Sequence, residues 1–166
     1  MEISILFLPL AASIIAGFFG RYIGDRNSEI ITSVLVSISA FLSIFVLYQV
    51  IINQYEENIV IATWINSGSL DVNWSMMIDP LSAVMLVVVT SVSSLVHIYS
   101  IGYMSHDPHK PRFMAYLSLF TFAMLMLVTS DNFIQLFFGW EGVGLCSYLL
   151  IGFWYKKESA NDAAIK

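Results

Sequence analysis

The chain has 166 residues, of which 58% are hydrophobic and 11% are charged, and its formal net charge is −5. Soluble domains carry about 25% charged residues, so this composition is typical of a chain that lies mainly in lipid. The negative net charge argues against nucleic acid as a partner.

Five apolar segments with few charges follow one another along the chain. At a rise of about 1.5 Å per residue, each covers roughly 25–35 Å, which matches a hydrocarbon core of about 30 Å. Backbone groups inside lipid must bond within their own segment, so we predict helices rather than the short alternating strands of a β-barrel. The predicted spans are residues 3–20, 30–52, 81–101, 113–129 and 133–153.

The basic residues predict an orientation. Six of the seven Lys and Arg residues lie in the first and third connections or after the fifth span. The positive-inside rule places these regions on the cytoplasmic or matrix side and the N-terminus outside. Because Glu2, and no basic residue, precedes the first apolar run, this run is interpreted as a retained span rather than a signal peptide. The six residues are Arg21, Arg26, Lys110, Arg112, Lys156 and Lys157.

The second connection, residues 53–79, has a strand-like pattern. Side chains alternate along both sides of a turn-like Ser67-Gly68-Ser69, and period-two alternation around such a turn predicts a β-hairpin. A partly ordered loop is the alternative. The hairpin would lie on the outer face, where it would cap the bundle or contact a neighbouring subunit. The alternating sets are Ile59, Ile61, Thr63 and Ile65 before the turn and Leu70, Val72, Trp74 and Met76 after it.

Two acids mark helix starts. Asp79, followed by Pro80, is predicted to cap the third span, and Asp131 the fifth. Residues 159–166 are predicted to begin a sixth helix, so we interpret the sequence as a fragment of a longer protein. The predicted fold is therefore all-α: residues 1–166 form one N-terminal transmembrane bundle of five helices and the start of a sixth, with a hairpin outside.

One acidic residue lies deep in a predicted span. Glu141 is roughly 12 Å from one end of the fifth segment and 18 Å from the other. An acid at this depth costs about 2.5–3.5 kcal/mol on insertion scales, while ten large apolar side chains of the segment return about 3–6 kcal/mol. The helix therefore still inserts. Desolvation disfavours the charged form of a carboxyl and a nearby cation favours it, so a carboxyl switched between these conditions takes up and releases a proton.

The neighbours of Glu141 suit a proton relay. Tyr148 shares its helix face and can hydrogen-bond water, and Trp140 adjoins it. Three small residues, Gly139, Gly142 and Gly144, would let a helix or a file of water come close. The alternative is that Glu141 pairs with another helix and only fixes packing.

Other candidates are weaker. His97, late in the third span, is a possible relay histidine or an interfacial anchor. His106 and His109 lie in a polar loop without the spacing of a metal site, and Cys146 is predicted to be a small buried hydrophobic residue. The sequence has no P-loop, GxGxxG or HExxH pattern. We therefore predict no metal, NADH, flavin or iron–sulfur site in this chain.

Two phrases resemble a known family. They are DPLSAVMLVVVTSVSSLVHIYSIGYM, from Asp79 to Met104, and FIQLFFGWEGVGLCSYLLIGFW, from Phe133 to Trp154. Both are similar to the start of the antiporter-like subunit L, or subunit 5, of respiratory NADH:quinone oxidoreductase, complex I. The resemblance extends over essentially the whole chain and about the first quarter of the expected subunit.

The resemblance implies a membrane-arm subunit that contributes to proton translocation coupled to quinone reduction. It implies that Glu141 pairs with a lysine on a later helix, and that other subunits bind NAD, FMN, iron–sulfur clusters and quinone. The implied partners are other membrane subunits and lipid, in a bacterial inner membrane or, alternatively, the mitochondrial inner membrane. Two further hypotheses are the large subunit of a multisubunit sodium/proton antiporter, which also carries this glutamate, and a purely structural bundle.

Overall fold

The computed structural model describes residues 1–68 and 70–166, which form six helices and one two-stranded antiparallel sheet. Five of the helices are long and apolar enough to cross a membrane, so the predicted multi-pass helical bundle is confirmed, as is the hairpin between its second and third helices. In chain order the elements are α1 (Glu2–Ile23), α2 (Asp25–Asn53), β1 (Glu57–Ser67), β2 (Leu70–Ile78), α3 (Pro80–Tyr103), α4 (Lys110–Val128), α5 (Phe133–Ile151) and α6 (Glu158–Ile165).

The first two helices meet more closely than the sequence predicts. We expected a connection over residues 21–29, but Gly24 alone separates α1 from α2. Its φ of 88° and ψ of 160° suit a glycine, and α2 begins with the polar residues that follow it. Asn27 and Ser28 bond back to the carbonyl groups of Ile23 and Gly24 at 3.0 and 2.9 Å. The hydropathy pattern marks the lipid-facing part of the helix and therefore underestimates its length.

Helix α4 lies at the centre of the bundle, in contact with α1, α2, α3 and α5. Its contact with α1 is very close, because a Cβ on Gly20 would lie 2.6 Å from the Cβ of Pro111. Helix α5 lies at the edge, and among the spanning helices of the described residues only α4 packs extensively against it. Much of the surface of α5 therefore faces away from the bundle.

Hydroxyl pairs join the buried faces of α2 and α3. Ser43 bonds to Thr90, and Ser37 bonds to Ser94, each with 2.7 Å between the oxygens. Such interhelical bonds contribute about 0.6 kcal/mol each in a membrane protein. We name these two pairs the α2–α3 hydroxyl pairs.

The hairpin lies in the predicted connection, and its chain reverses between Ser67 and Leu70. Glu57 lies opposite Ile78 at its open end, and Ser67 lies opposite Leu70 at the turn. Gly68 has a φ of 62°, in the left-handed region that glycine adopts readily, while Ser69 of the predicted turn lies outside the described residues. The register shifts twice, between Val60 and Ala62 and between Thr63 and Ile65, so the alternation along β1 is interrupted.

The first turn of α5 and the end of α4 hold the free edge of β2. The side-chain amide of Gln135 accepts from the backbone N–H of Ser75 at 2.9 Å and donates to its carbonyl at 2.6 Å. Nearby, the Met77 N–H donates to the Thr129 carbonyl at 2.8 Å. Gln135 is fully buried, and it binds β2 as a neighbouring strand would. The hairpin is thus fixed directly to the start of α5.

An aromatic cluster adds to this contact. The ring centroids of Trp64 and Trp74 lie 4.7 Å apart, and Phe138 of α5 packs edge-on against Trp74 at 4.8 Å. Edge-to-face pairs of this kind contribute about 0.5–1.5 kcal/mol beyond their buried area. The cluster covers the hairpin face beside the first turns of α5.

The predicted helix caps have different outcomes. Asp79 forms a capping box with Ser82, as expected: its carboxylate accepts from the Ser82 N–H at 2.7 Å. The prediction for Asp131 is wrong, because Asn132 caps α5 through a 2.9 Å bond from the Gln135 N–H. Asp131 instead accepts from Asn58 of β1 at 2.9 Å. Partial burial raises the pKa of Asp131, but its hydrogen bonds outweigh this and hold the pKa below its ordinary value, so the acid stays charged where it binds the hairpin.

We expect Gln135→Leu to release β2 from α5. The change leaves the buried N–H and carbonyl of Ser75 unpaired, at a cost of about 1–3 kcal/mol. Amide hydrogen exchange across β2 should accelerate, and the free energy of unfolding should fall. Gln49→Leu is the control, because Gln49 lies on α2 and its side chain bonds to Asn53. Unchanged exchange at Ser75 in the Gln135 variant would contradict this account.

Candidate functional site

Helix α5 packs on α4 through a stripe of small or polar residues. A Cβ on Gly139 would lie 2.8 Å from the backbone of Leu127, and one on Gly142 would lie 3.1 Å from the Cβ of Ala123. Because no side chain fits at Gly139, the two backbones approach directly. Gln135 and Cys146 continue the same stripe and are buried. The prediction that Cys146 is a buried hydrophobic residue is therefore confirmed.

Glu141 lies on the opposite face of α5. Two residues along a helix rotate by about 200°, so Glu141 points away from the stripe that contains Gly139. Glu141 is exposed in the isolated chain, and its face includes Phe137, Leu145 and Tyr148, each of which is more than half exposed. The helix thus presents one acid within a broad apolar face.

The three glycines near Glu141 have different surroundings. We expected all of them to admit a neighbouring helix or water near the carboxyl. Gly139 and Gly142 instead serve the contact with α4, whereas Gly144 lies on the Glu141 face and a Cβ there would meet nothing within 4 Å. Within residues 1–68 and 70–166, Gly144 alone provides a notch beside Glu141.

The predicted supporting residues are not all brought together. Tyr148 shares the face of Glu141 about 10 Å further along α5, and its ring is half exposed. Trp140 lies on the flank of α5 and is 65% exposed. His97 lies elsewhere: it is fully buried in α3 and bonds across to α4. Only Tyr148 therefore lies on the same face as Glu141.

His97 belongs to a separate polar cluster between α3 and α4. Its Nδ1 lies 2.8 Å from the Ser93 carbonyl oxygen, and its Nε2 lies 3.0 Å from the hydroxyl of Ser118. The Ser93 hydroxyl in turn bonds to that of Thr121. Sequence reasoning missed Ser93, Ser118 and Thr121. The spacing of four residues places Ser93 and His97 on one face of a helix and could have indicated their contact. Their partners on α4 could not be found in this way, because they depend on how the two helices pack.

The C-terminal end of α5 is held by polar contacts to the α3–α4 region. Trp154 donates to the Asp107 carboxylate at 2.9 Å, and Arg112 donates to the Phe153 carbonyl at 3.2 Å. The Arg112 guanidinium also lies 4.6 Å from the centre of the Phe153 ring. Burial raises the pKa of Asp107, yet the bond from Trp154 and further interactions lower it to below its ordinary value. Contacts at both ends therefore set the position of the helix that carries Glu141.

The described residues offer no metal centre. Across residues 1–68 and 70–166, no three His, Cys, Asp or Glu side chains are grouped closely enough to hold an ion. His106 lies in the turn after α3, and His109 donates its backbone N–H to Asp107 at 2.8 Å.

Two protein families match the chain. Residues 64–114 match the family described as NADH-Ubiquinone oxidoreductase (complex I), chain 5 N-terminus. Residues 130–166 match the family described as NADH:quinone oxidoreductase/Mrp antiporter, TM. The second match includes the whole of α5 and Glu141.

Curated relatives match the chain over its whole length. It is 57% identical to NADH-ubiquinone oxidoreductase chain 5 of Arabidopsis thaliana over 166 residues, which are 100% of this chain and 25% of that protein. It is 55% identical over 164 residues to chain 5 of Phytophthora infestans, covering 99% of this chain and 25% of the relative. Identity to NADH-quinone oxidoreductase subunit L of Rickettsia conorii is also 55%, over 164 residues and the same shares.

These matches, with the five apolar helices, define a class: the antiporter-like membrane subunits that NADH:quinone oxidoreductases share with Mrp antiporters. Within this class, the chain belongs to the NADH-quinone oxidoreductase chain 5, or subunit L, family. The resemblance inferred from the two sequence phrases is confirmed. The chain spans about a quarter of the length of the curated relatives it matches.

We expect Gly139→Ala to push α5 away from α4, because the added Cβ would overlap the Leu127 backbone. Such overpacking costs about 1–3 kcal/mol, and it should lower the unfolding free energy of the protein in detergent or bilayers. Gly102→Ala adds the same methyl group in the last turn of α3, where a Cβ would meet nothing within 4 Å, and should have little effect. Equal destabilisation by the two substitutions would show that the glycine contact is not specific.

Proposed function

We propose that this chain contributes to proton translocation in a membrane-arm subunit of NADH:quinone oxidoreductase, with Glu141 as the group that takes up and releases the proton. The observation that carries the proposal is the position of Glu141. It lies well within a spanning helix, on the face directed away from the bundle. An acid at this depth is expensive to insert, and such residues usually serve ion or proton movement.

The proposed chemistry is a change of partner at one carboxyl. In an apolar contact the carboxyl holds its proton, because desolvation disfavours the anion. When a cation approaches, the anion is stabilised and the proton leaves to the next carrier. Reversal of the contact restores the acid, and one proton has moved for each cycle.

The cation in this proposal is a lysine on a later helix of the full-length subunit. Gly144, on the face of Glu141 and without side-chain bulk, lets such a helix come close. Tyr148 on the same face is proposed to bond water along the proton path. Trp140, next to Glu141 but on the flank of α5, is proposed to pack against the approaching helix.

Quinone reduction is assigned to other subunits, which are proposed to bind NAD, FMN, iron–sulfur clusters and quinone. The partners of this chain are then other membrane subunits and lipid. We place it in the inner membrane of a bacterium or a mitochondrion, with the N-terminus outside. The six basic residues at the inner end support this orientation through the positive-inside rule.

The alternative function is the large subunit of a multisubunit sodium/proton antiporter. The family matched by residues 130–166 includes Mrp antiporters, whereas the relatives described above carry complex I names. Co-purification of the full-length protein separates the two: quinone oxidoreductase subunits support the proposal, and antiporter subunits support the alternative.

We expect Glu141→Gln in the full-length protein to reduce the number of protons translocated per electron several-fold, while the complex still assembles. The amide keeps the size of the side chain but cannot release a proton. The measurement is proton uptake by liposomes containing the assembled complex, alongside its NADH:quinone oxidoreductase rate.

Glu56→Gln is the matched control, because it makes the same change in the exposed connection between α2 and the hairpin. It should behave as the wild type. A normal ratio of protons to electrons in Glu141→Gln would refute the proposed role. Loss of assembly without any change in pumping per complex would support a purely structural glutamate.

A further inference from the structure

Arg112 is a partly buried cation at the end of the bundle where α1, α3 and α5 end and α2 and α4 begin, which we name the basic end. Among the residues that the structure describes, its buried Nε has no hydrogen-bond partner, and no carboxylate lies within 4.0 Å of its guanidinium. Buried charges in proteins are normally paired. Arg112 is therefore able to bind an anion.

Asp107, an acid that lines one cavity together with Arg112, is already bound to other donors. Its carboxylate accepts from Nε1 of Trp154 at 2.9 Å and from the backbone N–H of His109 at 2.8 Å. The guanidinium of Arg112 instead lies over the ring of Phe153. An aromatic face attracts a cation but does not neutralise its charge, so the capacity of Arg112 for an anion remains.

A groove of about 550 Å³ between α1 and α4 lies beside Arg112. Its volume is within the range of about 300–1,000 Å³ that is usual for sites of small ligands. Two arginines, Arg21 and Arg112, and one acid, Asp25, line the groove, and His109 and Tyr116 add polar groups. The arginines outnumber the acid, so the charged part of the lining favours an anion.

The rest of the groove has a lining of small residues, which we name the trough. Ala16, Gly17 and Gly20 of α1 and Ala115 of α4 form it. Ala16 precedes Arg21 by five residues, which places it about 7.5 Å further along α1 toward the middle of the helix. The groove is therefore charged at the basic end and apolar toward the membrane interior.

We propose that this groove binds one anionic phospholipid, with its phosphate between Arg21 and Arg112 and an acyl chain along the trough. A guanidinium pairs with a phosphate through two parallel hydrogen bonds. Basic pockets between spanning helices recognise the headgroups of anionic lipids in the same way. The lining residues belong to α1, α2, α4 and the segments that adjoin them, so the site is separate from Glu141 on α5.

The change of polarity along the groove favours a phospholipid over other anions. A free phosphate would use the two arginines and leave the trough without a ligand. A phospholipid at the edge of a bilayer presents a phosphate and then an acyl chain, which is the order in which the groove presents arginines and small apolar residues. Its chain also lies nearly parallel to the spanning helices, as the trough does.

The experiment measures lipid contact in the full-length protein within its assembled complex, reconstituted in phosphatidylcholine liposomes. The liposomes contain a small fraction of either phosphatidylglycerol or phosphatidylcholine that carries a photoreactive diazirine on one acyl chain. After illumination, mass spectrometry of peptides gives the yield of lipid attached to the trough. A parallel sample contains inorganic phosphate as a competitor. The readout is lipid binding, which is independent of proton translocation.

Three variants alter the groove. Arg21→Gln and Arg112→Gln each remove one group that binds phosphate, and Arg21 is exposed, so its variant tests the site even where Arg112→Gln lowers assembly. Gly17→Leu fills the trough, because a Cβ there makes an ordinary contact of 3.5 Å with that of Ala115 and leaves the rest of the side chain in the groove. Arg26→Gln is the matched control, because Arg26 lies at the basic end on α2 but does not line the groove.

We expect the phosphatidylglycerol probe to label the trough of the wild type several-fold more than the phosphatidylcholine probe does. The three groove variants should lower this labelling several-fold, and Arg26→Gln should leave it unchanged. Inorganic phosphate should not compete.

Four outcomes would overturn the inference. Equal labelling by the two probes would show that the groove does not select an anionic lipid, and wild-type labelling in Arg21→Gln and Arg112→Gln would exclude the arginines as its ligands. An equal loss in Arg26→Gln would indicate a general attraction of anionic lipids to the basic end. Absence of labelling in the wild type, or its loss in inorganic phosphate, would assign the groove to another protein segment or to a free anion.

Discussion

The direct approach of two backbones at Gly139 is the contact on which the rest of the structure depends. Gly139 of α5 has no side chain, and a methyl group added there would overlap the backbone of Leu127 of α4. This contact fixes the rotation of α5 about its own axis. The rotation in turn directs Glu141 away from the bundle, because residues two apart on a helix point in nearly opposite directions.

The position of α5 along its axis has a different origin. At its N-terminal end, Gln135 binds both polar groups of the Ser75 backbone. At its C-terminal end, Trp154 and Arg112 link the turn after α5 to the region around the start of α4. An edge helix with one extensive helical neighbour would otherwise be free to slide, so these polar contacts keep Glu141 at one depth.

Much of this architecture could be predicted from local sequence patterns. Apolar runs mark the spans and alternation marks the hairpin, because each depends on residues close in the chain. The patterns do not show how far α2 continues as a helix into polar residues, or that Asn132 rather than Asp131 caps α5. They also do not show that Gly139 and Gly142 face α4 while Gly144 lies on the Glu141 face, because this depends on where α4 packs. The burial of His97 likewise depends on how α3 packs against α4, so local sequence does not predict it.

The two polar sites have contrasting environments, and this difference has a physical consequence. The His97 cluster is completed within the described helices: each ring nitrogen has a partner, and the ring is buried. The carboxyl of Glu141 is directed outward, toward whatever packs on α5. A buried charge is stable only when it is paired, so a helix that packs over Glu141 has to supply a partner if the carboxyl is to remain charged. His97 has its partners inside the bundle already. Helix α4 links the two residues, because α5 packs on it and His97 bonds to its Ser118.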